Sequence, residues 1–107
     1  MLVHVVMWKL KDEFNAQEKF DKAVEIKVTL ERLKGIIPDI IDIEVGIDGA
    51  IGSQCACRKN NNYDLCLVSS FESADALSAY AEHPEHIKAV ELVKSSVQSR
   101  TAVDFLK

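Results

Sequence analysis

The sequence predicts an α+β domain of the ferredoxin-like β-α-β-β-α-β class, with a four-stranded antiparallel sheet and both helices on one face. Segments with the two-residue apolar period of strands and segments with the three-to-four-residue period of helices follow one another in this β-α-β-β-α-β order along the chain. The length of 107 residues fits a single domain spanning residues 1–107. The first strand is apolar on both faces, so its second face needs cover from another subunit or a second sheet.

The first strand is predicted over residues 2–10. The residues on one of its faces are the even-numbered Leu2, His4, Val6, Trp8 and Leu10. The first helix is predicted to begin after Asn15, because Asn15 and Glu18 have the spacing of a capping box. Its apolar residues follow mostly at helical steps, and Gly35 and Pro38 predict its end.

The second strand is predicted over residues 40–48, where isoleucine and valine alternate with Asp42 and Glu44. A loop is expected over residues 49–62, which are rich in glycine, serine and asparagine. A third strand is predicted over residues 63–71.

Ser73 can cap the second helix, which is predicted to run to about Glu82 and to restart at Pro84. An apolar stripe of the restarted helix comprises Ile87, Val90, Val93 and Val97. The last strand is predicted over residues 101–107. The face of the sheet that the helices leave uncovered is the surface that a homodimer would bury.

Charge and hydropathy exclude several classes of partner. The net charge of −4 and the pI near 5.3 argue against nucleic-acid binding, which needs a basic patch. Apolar runs fall short of the ~20 residues of a membrane-spanning helix. The beginning of the sequence lacks the pattern of a signal peptide, and three cysteines are typical of reduced thiols in a cytoplasmic protein.

The cysteines give a weak case for chemistry. Cys55 and Cys57 form a C-x-C pattern rather than the paired C-x-x-C of zinc sites, so no metal is expected. Two free thiols in a loop are the simpler interpretation, although Arg58 and Lys59 beside them would favour reactive thiolates. Cys66, in the middle of the third strand, is predicted to be a small core residue.

The segment from His83 to His86, with Tyr80 before it, is the strongest candidate for chemistry. Pro84 suits the first position of a helix, which places His86 in the first turn. The positive end of the helix dipole opposes imidazolium, so His86 is expected to favour the neutral form that a general base requires. Tyr80 could donate a hydrogen bond to a substrate carbonyl. His83 is expected to cap the turn, and a structural role stays open for His86, which could bond a backbone carbonyl.

Three segments of the chain form a distinctive combination: the opening strand at residues 3–10 with its histidine, the helix entry Phe71-Glu72-Ser73, and the pattern Y-x-x-H-P-x-H at residues 80–86. This combination gives the chain a resemblance to the stress-responsive A/B barrel (Dabb) family. The resemblance covers nearly the whole chain. It implies a ferredoxin-like fold, two copies of which pack their sheets into a dimeric α+β barrel.

Most members of this family have no assigned reaction, and some are known as stress-induced proteins. One plant member closes a polyketide ring by aldol condensation without a metal or organic cofactor. Its working tyrosine and histidine match Tyr80 and His86, and a histidine of its first strand matches His4. Cofactor-free monooxygenases of the antibiotic-biosynthesis type share the fold.

Three functions therefore stay open. The first is the binding of a small apolar or aromatic molecule between sheet and helices, with His4, Tyr80 and His86 as the polar contacts. The second is a cofactor-free cyclase, lyase or oxygenase with His86 as general base and Tyr80 as hydrogen-bond donor. The third is a structural, stress-protective dimer without a ligand. The fold alone does not choose among them.

Overall fold

The strands and helices follow one another in the predicted order. The computed structural model describes residues 1–56 and 62–107. The elements are β1 (Leu2–Leu10), α1 (Ala16–Glu31), β2 (Asp42–Ile47), β3 (Leu65–Phe71), α2 (Ala74–Glu82), α3 (Pro84–Lys94) and β4 (Val97–Leu106), with short 3₁₀ helices at Arg32–Gly35 and Ile51–Ser53. No helix of the described part is long and apolar enough to cross a membrane.

The helix starts form as their sequences predict. Asn15 accepts a hydrogen bond from the backbone of Glu18, and the Glu18 side chain accepts one from the backbone of Asn15, which completes the capping box of α1. Ser73 caps α2 through the amide of Ala76. These caps satisfy amides that the first turn of a helix leaves without partners.

The four strands form one antiparallel sheet in the order β2-β3-β1-β4. Side chains on one face of β1 join the buried core with residues of α1, α2 and α3, as predicted. The opposite face, called the open face below, carries Val68 and Val103, which are 45% and 57% exposed, and Phe105. The helices therefore cover one face of the sheet.

The last strand is longer than predicted. β4 begins at Val97 rather than at residue 101, because it pairs with β1 along the whole length of that strand. Lys9 pairs with Ser99 but Leu10 pairs with Val97, so Gln98 is an extra residue in a β-bulge. The polar sequence of this edge strand conceals its extent, because neither face shows apolar alternation at its start.

Three smaller predictions are wrong. Ile87 was expected on the apolar stripe of the last helix, but it is 51% exposed and Ala89 is buried instead. Cys66 is half-buried on the open face, where it pairs with Met7, rather than in the core. Cys55 is disulfide-bonded, so it is not the free thiol expected. The predictions for Cys57, Arg58 and Lys59 lie outside the described residues.

Candidate functional site

A cavity of about 470 Å³ lies between the sheet and the helices. Its floor is made of buried apolar side chains from β1, β3, α1 and α3: Val6, Trp8, Leu30, Leu67 and Val93. Its rim includes the exposed residues Lys94 and Arg100. The cavity therefore grades from an apolar interior to a charged opening.

The three residues singled out in the sequence line this one cavity. His4 lies on β1, Tyr80 on α2 and His86 on α3. Tyr80 and His86 are in direct contact, with ring centroids 4.3 Å apart and planes inclined by 48°. Residues 82 positions apart in the sequence thus converge because α2 and α3 pack over the face of β1 that carries His4.

The break between α2 and α3 positions His86. His83 is the N-cap of α3, and its Nδ1 accepts a hydrogen bond from the backbone of Glu85 at 3.1 Å. Pro84 occupies the first helical position, where a missing N–H has no cost. The expected capping role of His83 is confirmed, and the segment between the two helices holds His86 against Tyr80.

One hydrogen bond determines the tautomer of His86. Its Nδ1 lies 3.0 Å from the carbonyl oxygen of Ala81. A carbonyl oxygen only accepts, so Nδ1 carries the proton and Nε2 holds the lone pair of the neutral ring. Burial lowers the pKa of His86, the bond to Ala81 opposes this, and the nearby His4 and Arg100 reinforce it. Neutral His86 is therefore the favoured form at neutral pH.

Tyr80 is a buried residue whose ring contacts two others. Its ring centroid lies 5.1 Å from that of Phe71, and its ring also contacts the imidazole of His86. Burial raises the pKa of Tyr80 to about 12, although the charge of Arg100 acts in the opposite direction. The phenol thus stays protonated at neutral pH and is a hydrogen-bond donor.

Asp104 fixes the orientation of His4. The two residues are directly opposite each other on β1 and β4, and Nδ1 of His4 donates to the Asp104 carboxylate. The His4 side chain is 14% exposed, so this hydrogen bond is shielded from solvent on the histidine side. Because a carboxylate only accepts, Nε2 is left as the ring nitrogen without the proton in the neutral form.

Sequence reasoning missed three residues near the end of the chain, Lys94 on α3 and Arg100 and Asp104 on β4. Lys94 and Arg100 line the rim, and Asp104 supports His4. Arg100 pairs with Trp8 and Asp104 with His4, so both share the helix-covered face of the sheet. Extending the predicted strand back to residue 97 and aligning it with the first strand would have brought Arg100 onto the same face as Asp104.

Neither a metal cluster nor an orphaned polar group occurs in the described ranges. No group of three or more His, Cys, Asp or Glu side chains there is placed to hold a metal ion. Every fully buried side-chain nitrogen or oxygen among those residues has a hydrogen-bond partner. The polar atoms of the site are thus either paired within the protein or accessible from the cavity.

Comparison with known proteins identifies the family. Residues 2–106 match the family model described as the stress-responsive A/B barrel domain. Comparison with curated proteins found no match. Among solved structures, a dimeric ferredoxin-like protein of unknown function from Bacteroides fragilis is 30% identical, with 97% of this chain and 93% of that chain covered and a TM-score of 0.83.

Two more distant structures belong to enzymes. A hydroxynitrile lyase from Passiflora edulis is 13% identical, with 97% of this chain and 90% of that chain covered and a TM-score of 0.71. An antibiotic biosynthesis monooxygenase is 15% identical, with 100% and 98% covered and a TM-score of 0.73. At such identities, the likeness shows a shared fold alone.

Proposed function

Because the chain belongs to the stress-responsive A/B barrel domain family, we propose that it binds a small apolar or aromatic molecule in the cavity between sheet and helices. The observation that carries the proposal is the convergence of His4, Tyr80 and His86 on one cavity with an apolar floor. Ligand pockets are typically of this kind, with volumes of about 300–1,000 Å³ and few polar groups. The volume of about 470 Å³ lies within that range.

The polar groups offer complementary hydrogen bonds. Neutral Tyr80 supplies a donor, and Nε2 of His86 supplies an acceptor. The carboxylate of Asp104 holds the His4 ring in one orientation, so ligand binding would pay a smaller entropic cost for ordering that ring. A ligand with an aromatic or aliphatic body and one hydroxyl or carbonyl group would match this set.

Titration with a neutral probe tests the proposal. We expect para-pentylbenzyl alcohol to shift the NMR signals of His4, Tyr80 and His86. Val90 lines the cavity from α3, so Val90→Trp should fill the space and abolish the shifts. Ile87→Trp is the matched control, because Ile87 lies on the same helix but is 51% exposed, and it should leave binding intact. Unchanged binding in Val90→Trp would contradict the proposed site.

A second candidate is a cofactor-free enzyme. In this scheme Nε2 of His86 removes a proton from a carbon next to a carbonyl, and the C–H electron pair forms the carbon–carbon double bond of an enolate. The carbonyl electron pair moves onto oxygen, where the Tyr80 hydroxyl donates a hydrogen bond. The neutral tautomer of His86 and its contact with Tyr80 favour this candidate.

Proton abstraction can be measured without knowing the natural substrate. We expect the protein to accelerate deuterium uptake from D₂O at the methyl group of para-pentylacetophenone. His86→Gln should remove the acceleration, whereas Lys88→Gln, an exposed substitution on the same helix, should preserve it. Equal rates for the wild type and His86→Gln would rule out this candidate and leave ligand binding open.

We also propose that the chain forms a homodimer through the open face of its sheet. Val68, Val103 and Phe105 expose apolar surface there, and contiguous exposed apolar surface is typical of protein interfaces. The related protein from Bacteroides fragilis is described as dimeric, which supports the same assembly here. A purely structural, stress-protective dimer would need this surface but would have no use for the cavity.

A further inference from the structure

Two cationic side chains line the rim of the cavity and form no ion pair with any of the described residues. Lys94 ends α3, and Arg100 lies on β4 beside the floor residue Trp8. The ion pairs within residues 1–56 and 62–107 include neither of them. As far as the described part of the chain goes, the positive charges of this arginine and this lysine are therefore available to a ligand.

The rest of the cavity adds to this positive character. None of the described residues that line it is an aspartate or glutamate. Asp104 lies nearby on β4, but its carboxylate is engaged by His4. The charge of Arg100 opposes the rise in the pKa of Tyr80 and adds to the lowering of the pKa of His86, so its guanidinium is within electrostatic reach of both side chains. This local charge contrasts with a net charge of −4 for the whole chain.

We propose that the natural ligand carries a carboxylate, which Arg100 binds at the rim with Lys94 adding charge, while the apolar body of the ligand occupies the floor. This inference rests on the proposed small-molecule binding and specifies its ligand class. The planar fork of a guanidinium matches the two oxygens of a carboxylate, and such bonds are stronger than neutral ones.

The geometry orders the ligand along the cavity. The carboxylate lies at the exposed end, and the hydrogen-bonding group of Tyr80 lies deeper, next to buried Phe71. A ligand that reaches both ends would therefore carry its acid group and its carbonyl or hydroxyl group at separate positions on an apolar frame. An aliphatic acid without a second polar group would contact the rim and the floor but would not hydrogen-bond to Tyr80.

A pair of probes that differ in charge tests this inference by calorimetry. We expect the wild type to bind para-pentylbenzoate roughly tenfold more tightly than para-pentylbenzyl alcohol, in line with a charge-assisted hydrogen bond. Arg100→Gln should remove this preference while the alcohol still binds. Lys94→Gln should reduce the preference in part, and added salt should weaken benzoate binding alone.

The matched control is Lys88→Gln, which removes one positive charge from the outer surface of α3, where Lys88 is paired with Glu85. We expect this variant to keep the full preference for the benzoate. Equal affinities of the wild type for both probes would overturn the carboxylate site and leave small-molecule binding intact. Binding of neither probe would instead overturn the proposed function, and with it this inference.

Discussion

The Nδ1–H group of His86 donates a hydrogen bond to the carbonyl oxygen of Ala81, across the break between α2 and α3. The bond satisfies a structural role and a chemical one together. It holds the ring against Tyr80, and it leaves Nε2 as the basic nitrogen. The hydrogen bond to the backbone is therefore compatible with ligand binding by His86, because Nε2 takes no part in the bond to Ala81.

The lowered pKa of His86 predicts a loss of stability in acid. The unfolded chain takes up this proton near the ordinary histidine pKa of about 6.5, whereas the folded protein resists it. The stabilisation is present above that pH and is lost as the pH falls through the lowered pKa of His86. We expect urea unfolding to show a free energy that falls from about pH 7 to about pH 5.

Substitution of His86 measures how much of this acid loss of unfolding free energy is due to its protonation. His86→Gln should flatten the pH dependence, and the imidazole NMR signal that disappears in this variant should titrate below the ordinary histidine range. The nitrogen shifts of that signal should show a protonated Nδ1 at neutral pH. An unchanged pH dependence in His86→Gln, or a protonated Nε2, would contradict the assigned tautomer and environment.

Burial of Tyr80 predicts a loss of stability in alkali. Its pKa rises from 10.0 to about 12, and this difference corresponds to about 2–3 kcal/mol between the two ionisation states. The stabilisation is complete below the unfolded pKa and is lost as the pH rises towards the folded one. Alkaline unfolding of Tyr80→Phe should lack this component.

At neutral pH, Tyr80→Phe should change the free energy of unfolding by less than about 1 kcal/mol, because the ring packing is kept. Tyr80→Ala should cost about 3–5 kcal/mol, since it leaves a cavity beside Phe71. Denaturant unfolding monitored by circular dichroism measures both. If the two variants were equally destabilised, the hydroxyl rather than the ring would be the stabilising part.

The open face predicts the effect of a charge on assembly. Val103→Lys should convert the proposed dimer into a monomer of 11.9 kDa, as measured by light scattering, because a lysine there would be buried without a partner. Val28→Lys is the control: Val28 is 45% exposed on α1, on the helix side of the molecule, and its substitution should preserve the dimer. A wild-type monomer at micromolar concentration would refute the dimer itself.

Gly52 predicts a position-specific cost of adding one methyl group. It has a φ of 67°, and a Cβ there would overlap a ring carbon of Phe20. Gly52→Ala should therefore destabilise the protein by about 2 kcal/mol in denaturant unfolding. Gly35→Ala is the matched control, since a Cβ there meets no atom within 4 Å, and it should cost little. Equal effects would argue against close packing of Gly52 on Phe20.

Local chemistry explains why most of the fold is predictable. The capping box at Asn15, the serine cap at Ser73 and the proline restart at Pro84 are signals of a few adjacent residues, and all three helices begin where these predict. The apolar run of β1 and the apolar alternation of β2 are equally local. Each of these signals acts within one turn or one strand, so a single sequence contains it.

The site depends on relationships that one sequence does not contain. Arg100 faces the cavity because of its register against Trp8, and Asp104 meets His4 across 100 positions of sequence. The family resemblance pointed to His4, Tyr80 and His86 but carried no information on Lys94 or Arg100. Ile87 was misassigned for a related reason, since only the packing direction of α3 decides which side of an amphipathic helix is buried.

The extra residue Gln98 changes which side chains of β4 share a face of the sheet. Val97 and Arg100 are three positions apart, and a regular strand would send them to opposite faces. The bulge lets Val97 pair with Leu10 and Arg100 with Trp8, so both lie on the cavity side. A related chain without the residue at position 98 would pair the two strands without a bulge, and each of its remaining side chains would stay on the same face. The loss of one residue there is therefore compatible with the same cavity and the same open face.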